Sequence, residues 1–398
     1  MRFAGILLGL IALSSSALAQ EQKLTHIQAD KLPPPYDTPS ANNGPIVTEK
    51  PEGATLRAPA GFKVEVYASR LNNPRWCGSA PNGDVFVAES GAGRIVVLRE
   101  EKGSGKAFAM NVFADNLDYP FGILFHKGYL YIGCRTYVAR VPYKSGQTKN
   151  YAPLEKVLTG LPEEGHKTRA LAYNPRNNKM YIVIGSSKDI GEETDNRRAT
   201  ICEFDPDGAN FRIFATGLRN ACGMSLNPAN GELWTAVNER DGLGDDTVPD
   251  YATSVKEGGF YGWPYYYAGK YQDPRMPAKP ELREKSLVPD VLLNSHVASL
   301  GLTFYTGKQF PKEYQGDLFV AQHGSGNRME RVGYDIVRVP FKNGKPVGGF
   351  AEFVGGWMLD KNKRQVWGRP VGVFMANDGA LLVTDDGNNT IWRISYAP

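Results

Sequence analysis

One unit of strands and turns recurs six times along this chain, and this repeat restricts the folds that the chain can adopt. Each unit begins with an apolar strand of small residues and continues through a turn into a strand such as LYIGC or LWTAV. Equivalent inner-strand positions lie 44 to 78 residues apart, at Gly78, Gly122, Ala170, Gly223, Gly301 and Gly372. Repeats of about 40–50 residues that hold four strands are typical of β-propeller blades, and the longer spacings indicate insertions.

The repeat predicts an all-β fold, a six-bladed β-propeller with four-stranded antiparallel blades. A single blade cannot bury both faces of its sheet, whereas a ring of blades buries them without long exposed edges. The strand GFKVEVYAS precedes the first full unit, and we predict that it completes the last blade and closes the ring. A solenoid is the alternative fold for such repeats. It is disfavoured because the chain has no terminal capping repeats and its later units carry long insertions.

The segments before the repeats predict an exported protein with an extended arm. Residues 1–19 combine a positive start, an apolar stretch and a small-residue cleavage pattern, as in a signal peptide. Residues 20–58 are polar and rich in proline, and we predict an extended N-terminal arm or linker; wrapping of part of it around the domain is left open. The propeller domain is expected over residues 59–398. A periplasmic or secreted location follows, with no membrane span.

Charge and cysteine usage narrow the possible partners and sites. The formal net charge of +4 is small for 398 residues, and Lys and Arg form no basic run, which argues against nucleic acid as a partner. In an oxidising compartment the four cysteines can pair, with three pairings open. None stands in a CxxC motif, which disfavours a zinc or redox site at Cys77, Cys134, Cys202 and Cys222.

Repeat symmetry also predicts where a functional site lies. Loops at the inner strands of a propeller converge on one end of its channel, so equivalent positions in different units become neighbours. Positions at the starts of the inner strands hold Arg75, Tyr119, His166 with Arg169, Arg219 with Asn220, Ser299 and Arg369. Loops after the second strands hold Glu89, Arg135, Lys188 with Asp189, residues 238–241, His323 with Arg328, and Asp385 with Asp386. Arginine forks in such a ring suit a polyanionic ligand, with a cation alongside.

Three features of this ring predict chemistry. His166 precedes the third inner strand, where an imidazole can act as general base, although a histidine there can also simply cap the strand. Arg219 can place a charged fork on a quinone or carboxylate oxygen, or it can form a salt bridge between blades. The acidic loop 238–246 suits calcium, bound through carboxylates or through backbone carbonyls, and a solvated surface loop is the alternative. His323 is a second histidine, expected to contact a ligand.

Three stretches resemble the soluble glucose/sorbosone dehydrogenases, six-bladed propellers that use pyrroloquinoline quinone (PQQ) and calcium. They are GHKTRALAYNPRNNKMYIVIGS, GLRNACGMSLNPANGELWTAVNERDGLGDD and EGGFYGWP, and the likeness covers residues 61–398. Two further stretches, ERDGLGDDTVPDY and FVAQHGSGNR, are most similar to the sorbosone-dehydrogenase branch.

The resemblance implies roles for individual residues. His166 would remove the proton of a sugar C1 hydroxyl while hydride passes to the quinone, and Arg219 would contact a quinone oxygen. Calcium would be held by the backbone carbonyls of Glu239 and Arg240. The family's cofactor-binding lysine has no clear match here, and His323 or Arg328 stands in that region. Cofactor contacts are therefore expected at Arg219, Asn220, His323, Arg328 and, by repeat position alone, Arg369.

Together these features predict a periplasmic PQQ- and calcium-dependent dehydrogenase for sugars of the aldose or sorbosone type. Its partners would be a small sugar and a separate electron acceptor, because the chain has no CxxCH haem motif. The alternatives are a calcium-dependent lactonase-type propeller hydrolase and a binding propeller without catalysis.

Overall fold

Six four-stranded antiparallel sheets form the body of the protein. The computed structural model describes residues 23–101 and 103–397, so the predicted signal peptide, residues 1–19, lies outside the described residues. The first strand of each sheet touches the first strands of both neighbouring sheets, so the six inner strands form a closed ring. The predicted all-β fold, a six-bladed β-propeller with four-stranded antiparallel blades, is confirmed.

The first three blades follow the chain without interruption. Two strands precede them, β1 (Ile46–Val47) and β2 (Phe62–Ala68). Blade one contains β3 (Pro74–Ser79), β4 (Val85–Glu89), β5 (Arg94–Glu100) and β6 (Ala107–Ala114). Blade two contains β7 (Gly122–His126), β8 (Tyr129–Gly133), β9 (Val138–Pro142) and β10 (Glu155–Leu158). Blade three contains β11 (Leu171–Asn174), β12 (Lys179–Ile184), β13 (Thr200–Phe204) and β14 (Arg212–Thr216).

The later blades carry the insertions that the repeat spacing indicated. Blade four contains β15 (Ala221–Leu226), β16 (Leu233–Val237), β17 (Pro249–Ser254) and, after the hairpin β18 (Tyr266–Tyr267) and β19 (Tyr271–Gln272), β20 (Val291–Ser295). Blade five contains β21 (Ser299–Phe304), β22 (Leu318–Gln322), β23 (Asp335–Val339) and, after the hairpin β24 (Phe341–Lys342) and β25 (Lys345–Pro346), β26 (Ala351–Val354). Then come β27 (Gln365–Val366) and blade six, with β28 (Pro370–Met375), β29 (Leu381–Asp385) and β30 (Thr390–Tyr396).

Strand β2 closes the ring as the sequence predicted. It pairs with β30 in antiparallel register, with Phe62 opposite Tyr396 and Val64 opposite Ile394. The N-terminal strand therefore supplies the outer strand of blade six, and the first and last strands of the propeller hold each other in place. Closure of this kind removes the free edge that a three-stranded last blade would expose.

Small residues in the inner strands allow the blades to approach one another at the channel. A Cβ atom added to Gly301 would lie 2.6 Å from the Cα of Gly372 in the next blade, and one added to Gly223 would lie 2.7 Å from the backbone nitrogen of Leu302. Real Cβ atoms do not approach backbone atoms so closely, so glycine is required at both positions. This explains the small residues by which the repeat was recognised.

The N-terminal arm runs along the loops of blades four and five to blade six. The backbone N–H of Tyr36 donates to the carbonyl of Leu243 at 2.7 Å, and that of Asn43 donates to the carbonyl of Gly326 at 2.7 Å. Strand β1 then pairs in parallel with β27. The arm thus connects loops that leave different blades at the same end of the propeller.

Helix is scarce in the described part of the chain. It consists of α1 (Pro280–Arg283) and two 3₁₀ turns, Ala29–Lys31 and Lys312–Tyr314. Within residues 23–101 and 103–397, no helix is both long enough and apolar enough to cross a membrane.

The four cysteines, whose pairing the sequence left open, form no disulfide in the structure. All four are buried and free. Cys77 belongs to β3, Cys134 follows β8, Cys202 belongs to β13 and Cys222 to β15, so each packs in a different blade as a small apolar side chain. Burial raises the pKa of the Cys134 and Cys222 thiols to about 12, which keeps both protonated.

Candidate active site

A cavity of about 400 Å³ lies where the inner strands begin and the second strands end. Five blades contribute to its walls, because equivalent positions of the repeat meet there. The lining residues are Arg75, Tyr119, Phe121, Gly165, His166, Lys167, Thr168, Asn220, Asn238, Ala298, Leu300 and His323. Of the predicted site residues, His166, Asn220 and His323 therefore share one cavity, although they come from three different blades.

His166 is held as a neutral base by the end of strand β12. Its Nδ1 lies 2.8 Å from the carbonyl oxygen of Ser186. A carbonyl only accepts hydrogen bonds, so Nδ1 carries the hydrogen and Nε2 keeps its lone pair. Burial, together with the positive charge of Arg219, lowers the pKa of His166 to about 4. The imidazole is therefore unprotonated at neutral pH, as a general base must be.

Gly185 permits this arrangement. A Cβ atom there would lie 2.7 Å from the Cβ of His166 and 2.6 Å from Oδ1 of Asn220. Only glycine lets β12 end so close to both side chains. The sequence signal was the glycine of YIVIGS, but its spatial partner Asn220, in the next blade, is found only in the structure.

Arg219 forms the salt bridge that the sequence left open as an alternative. Its Nη2 lies 2.9 Å from Oδ1 of Asp189, its Nε donates to the Asp189 carbonyl at 3.1 Å, and its Nη1 donates to the Asn238 carbonyl at 3.0 Å. The guanidinium is not among the groups that line the cavity. The positive charge of Arg219 nevertheless lowers the pKa of His166, because it disfavours protonation of the imidazole. Asp189 also accepts a hydrogen bond from the indole of Trp263 at 3.0 Å.

Asn220, next to Arg219, presents an unused acceptor. Its Oδ1 atom is buried and has no hydrogen-bond partner among the described residues. A buried polar atom without a partner is costly, so a group that donates to Oδ1 of Asn220 would be stabilised there.

Glu239 and Arg240 turn their side chains away from solvent and toward each other. Arg240 Nε lies 2.9 Å from Oε2 of Glu239, and its other nitrogens donate to the carbonyls of Pro264 at 2.9 Å and Tyr266 at 2.8 Å. Within the described chain, the backbone carbonyls of Glu239 and Arg240 accept no hydrogen bond. These two carbonyl oxygens, together with the buried Oε1 of Glu239, which has no hydrogen-bond partner within the described residues, are the groups of this pair that remain available to a cation.

Each carboxylate of the acidic loop makes at least one hydrogen bond or ion pair, although Oε1 of Glu239 is buried without a partner in the described chain, and this pairing disfavours the carboxylate-based calcium site considered from the sequence. Asp241 lies 2.8 Å from Nδ1 of His296, and Nε2 of that ring lies 2.8 Å from the carbonyl of Gly244. Both partners accept, so both ring nitrogens donate, and the pKa of His296 is raised although burial opposes its charge. No cluster of three or more His, Cys, Asp or Glu side chains suited to a metal occurs in residues 23–101 and 103–397.

Arg328, for which the sequence predicts a cofactor contact, is not among the residues that line the cavity. Its Nη1 donates to the carbonyl of Asp245 at 2.7 Å and to Oδ1 of Asp246 at 2.5 Å. The guanidinium of Arg328 is therefore bound by the acidic loop of blade four and does not point into the cavity. Arg369 lies nearer, with its Nε donating to the carbonyl of His323 at 3.2 Å.

His323 takes part in a network that joins blades one, five and six. Its Nε2 lies 2.8 Å from Oδ1 of Asp386, whose other oxygen lies 2.5 Å from Nη1 of Arg75. Repeat symmetry placed these three side chains at one channel mouth but did not identify their bonds. Trp263 was missed because it belongs to the insertion of blade four, and His296 was missed because it follows β20 in the connection to blade five; no repeat position guides the alignment at either place.

The chain is similar to several known proteins. The profile of the TrAA12-like family matches residues 56–265 and 278–397. An uncharacterized protein of Borreliella burgdorferi is 30% identical over 359 residues, which cover 86% of this chain and 91% of that protein. A pyrroloquinoline quinone-dependent sugar dehydrogenase of Hypocrea jecorina is 25% identical over 242 residues, 52% of this chain and 56% of that enzyme.

A solved structure shows the same fold. The calcium structure of the family AA12 carbohydrate-active enzyme of Trichoderma reesei superimposes with a TM-score of 0.76 at 20% identity, covering 89% of this chain and 99% of that one. The chain belongs to the TrAA12-like family, and the relationship to soluble PQQ-dependent sugar dehydrogenases that its sequence indicated is confirmed.

Proposed function

We propose that this protein is an exported, PQQ- and calcium-dependent dehydrogenase that oxidises a sugar C1 hydroxyl or a hydrated aldehyde. The observation that carries the proposal is the neutral imidazole of His166, held with a free lone pair in a cavity that basic side chains surround. Membership of the TrAA12-like family supports the redox chemistry. The signal-like residues 1–19 support export to the periplasm or beyond.

The charge of the cavity fits an anionic quinone. PQQ is a planar tricarboxylate, and Arg75 and Lys167 line the cavity while Arg369 lies beside it. We assign these cations to cofactor binding, together with Asn220, whose side-chain amide can donate from Nδ2 to a cofactor oxygen and accept at Oδ1, which is buried without a partner within the described residues. Arg219 would act on the bound group through its charge, because Asp189 already holds its guanidinium.

Calcium would bind at the backbone carbonyls of Glu239 and Arg240. Both are free of hydrogen bonds in the described chain, and both follow Asn238, which lines the cavity. Hard cations prefer such oxygen ligands, and the relative from Trichoderma reesei has been solved in a calcium form. When bound, the quinone supplies a hydride acceptor and the cation supplies a Lewis acid beside it.

His166 receives the proton of the substrate hydroxyl at Nε2. The hydrogen bond from Nδ1 to the Ser186 carbonyl fixes the ring, so that Nε2 is the basic nitrogen, and it stabilises the imidazolium that forms. Ser186 Oγ, 3.1 Å from Nδ1, donates to the carbonyl of Lys188 at 2.6 Å and so keeps the loop after β12 in place. Electrons would leave to a separate acceptor.

Reconstitution of the purified protein with PQQ and calcium, followed by dye reduction with a panel of aldoses and sugar aldehydes, tests this function. We expect turnover in the wild type and a loss of about 10²–10⁴-fold in kcat for His166→Gln, because that variant lacks the general base. The affinity for PQQ, measured by fluorescence quenching, should change little, since the variant removes no cationic group.

His126→Gln is the matched control, because His126 lies at the end of β7 and packs on Tyr173, away from the cavity. Its turnover should equal that of the wild type. Lactone hydrolysis that needs calcium but not PQQ would select the hydrolase instead. PQQ binding without oxidation of any sugar would leave a binding propeller.

A further inference from the structure

The cavity holds a second histidine whose tautomer is fixed through the opposite ring nitrogen. His323 follows β22 in blade five, and its Nε2 lies 2.8 Å from Oδ1 of Asp386. An ionised carboxylate only accepts, so Nε2 carries the hydrogen and Nδ1 keeps the lone pair. Within the described chain, Nδ1 of His323 has no hydrogen-bond partner, although the residue lines the cavity.

Burial and two nearby arginines keep the ring of His323 neutral. Arg75 pairs with the second oxygen of Asp386 at 2.5 Å, and the Nε of Arg369 lies 3.2 Å from the His323 carbonyl. With a neutral ring, this buried group of three charges carries a net charge of +1, and protonation would raise it to +2. Burial lowers the pKa of His323 to about 4, because it outweighs the opposing effect of Asp386, and the positive charges of Arg369 and Arg75 act in the same direction as burial.

A neutral imidazole with an exposed lone pair is a poor partner for a carboxylate or a quinone oxygen, since these groups only accept hydrogen bonds. It is a good partner for a hydroxyl group, which can donate. The expectation that His323 contacts the anionic part of a cofactor therefore does not suit the geometry. Arg75 and Arg369, which can only donate, suit that task.

We propose that Nδ1 of His323 accepts a hydrogen bond from a substrate hydroxyl other than the one that His166 deprotonates, and that Asp386 is the positioning residue that fixes the His323 tautomer. The inference rests on the proposed sugar dehydrogenase function, and it assigns a specificity role to blade five. A sugar would thus be held between two imidazoles, one that takes a proton and one that recognises a second hydroxyl.

The tautomers can be measured without cofactor or substrate. In ¹⁵N-histidine-labelled apoprotein at pH 7, NMR should show His323 with hydrogen on Nε2 alone and His166 with hydrogen on Nδ1 alone. The variants His323→Gln and His166→Gln assign the signals. In Asp386→Asn the amide can donate or accept, so His323 should populate both tautomers. An imidazolium at His323, or hydrogen on its Nδ1 in the wild type, would overturn the proposal.

The hydroxyl contact is tested with monodeoxy sugars on the reconstituted enzyme. His323→Leu should raise KM for the parent sugar about 3- to 10-fold, the effect of one lost hydrogen bond. For the one analogue that lacks the contacted hydroxyl, wild type and variant should have equal KM. His323→Gln should recover part of the affinity, because its amide oxygen also accepts.

The outcomes separate the two proposals. Weakened PQQ binding in His323→Leu, with KM raised alike for every deoxy sugar, would show a cofactor contact and overturn the inference. If the wild type oxidises no sugar, the proposed function fails and the substrate contact fails with it. The NMR result, which needs neither ligand, then still decides whether Asp386 fixes the tautomer.

Discussion

At the scale of single residues, hydrogen-bond partners decide what two histidines in one cavity can do. His166 donates from Nδ1 to a backbone carbonyl, and His323 donates from Nε2 to a carboxylate. Each ring therefore keeps one defined lone pair, and burial keeps both rings neutral. By contrast, His296 has acceptors at both nitrogens, and its hydrogen bond to Asp241 raises its pKa although burial opposes the charge.

The lowered pKa of His166 predicts a specific dependence of stability on pH. Its pKa is about 4 in the folded protein against 6.5 in the unfolded chain, so between these values the unfolded chain binds more protons. The stability that the neutral ring contributes is present above pH 6.5 and is lost as pH falls toward 4. Denaturation in urea should show that the wild type loses roughly 2–3 kcal/mol more than His166→Gln over this range.

Comparison with the variant is essential, because other groups titrate in the same range. Burial raises the pKa of Asp250 to about 7, so this carboxyl favours the fold at low pH and opposes the effect of His166. The glutamine variant leaves Asp250 unchanged, and the difference between the two proteins isolates the histidine. Parallel stability curves from pH 4 to 7 would contradict the lowered pKa.

Sequence reasoning located cavity residues well where the repeat supplied a position. Arg75, His166, Asn220 and His323 all stand at equivalent strand ends and share the cavity. The repeat could not show which side chains are already paired. Arg328, for example, pairs with Asp245 and Asp246, which belong to a loop of a different blade.

At the scale of elements, the inner strands depend on glycine for their packing. In Gly301→Ala the new methyl group would lie 2.6 Å from the Cα of Gly372 and 2.8 Å from the Val371 carbonyl, and backbone cannot rotate away as a side chain can. We expect a loss of about 2–4 kcal/mol in the free energy of unfolding, measured by urea denaturation. Gly44→Ala is the control, because a Cβ there meets nothing within 4 Å. Equal midpoints would refute this account of the repeat.

The sequence predicted the elements where strand and turn patterns were regular, including closure by β2. It could not predict the insertion between β17 and β20, which carries the hairpin of β18 and β19 and contributes Trp263 to the network around Asp189. Insertions have no counterpart in other repeats, and their contacts are set by tertiary packing. The pairing of the cysteines could not be predicted for a related reason, because the fold of the strands determines which blade each thiol occupies.

At the scale of the whole molecule, the N-terminal arm connects loops of different blades through backbone hydrogen bonds. It bonds to the acidic loop of blade four, to the loop of blade five that carries Gly326 and to the segment before blade six. Arg331 strengthens the second of these contacts by donating to Oδ1 of Asn43 at 2.9 Å. The composition of the arm predicted an extended segment, but a sequence without periodicity gives no sign of its path.

This architecture predicts that the arm contributes to calcium binding indirectly, by holding the loop that carries the calcium ligands. Thr38 Oγ1 accepts the backbone N–H of Asp245 at 2.7 Å, in the loop that also carries the Glu239 and Arg240 carbonyls. Loss of this bond in Thr38→Ala gives the loop more conformations, and calcium binding must then order it. We expect calorimetry to show calcium affinity about 3- to 10-fold weaker in the variant.

Thr48→Ala, which alters the arm only beside β27, is the control. It should bind calcium as the wild type does, because the hydroxyl of Thr48 bonds to Val366 and not to the acidic loop. Equal affinities in Thr38→Ala and the wild type would mean that the loop is fixed by its own blade, by His296 and the Arg240 pair alone.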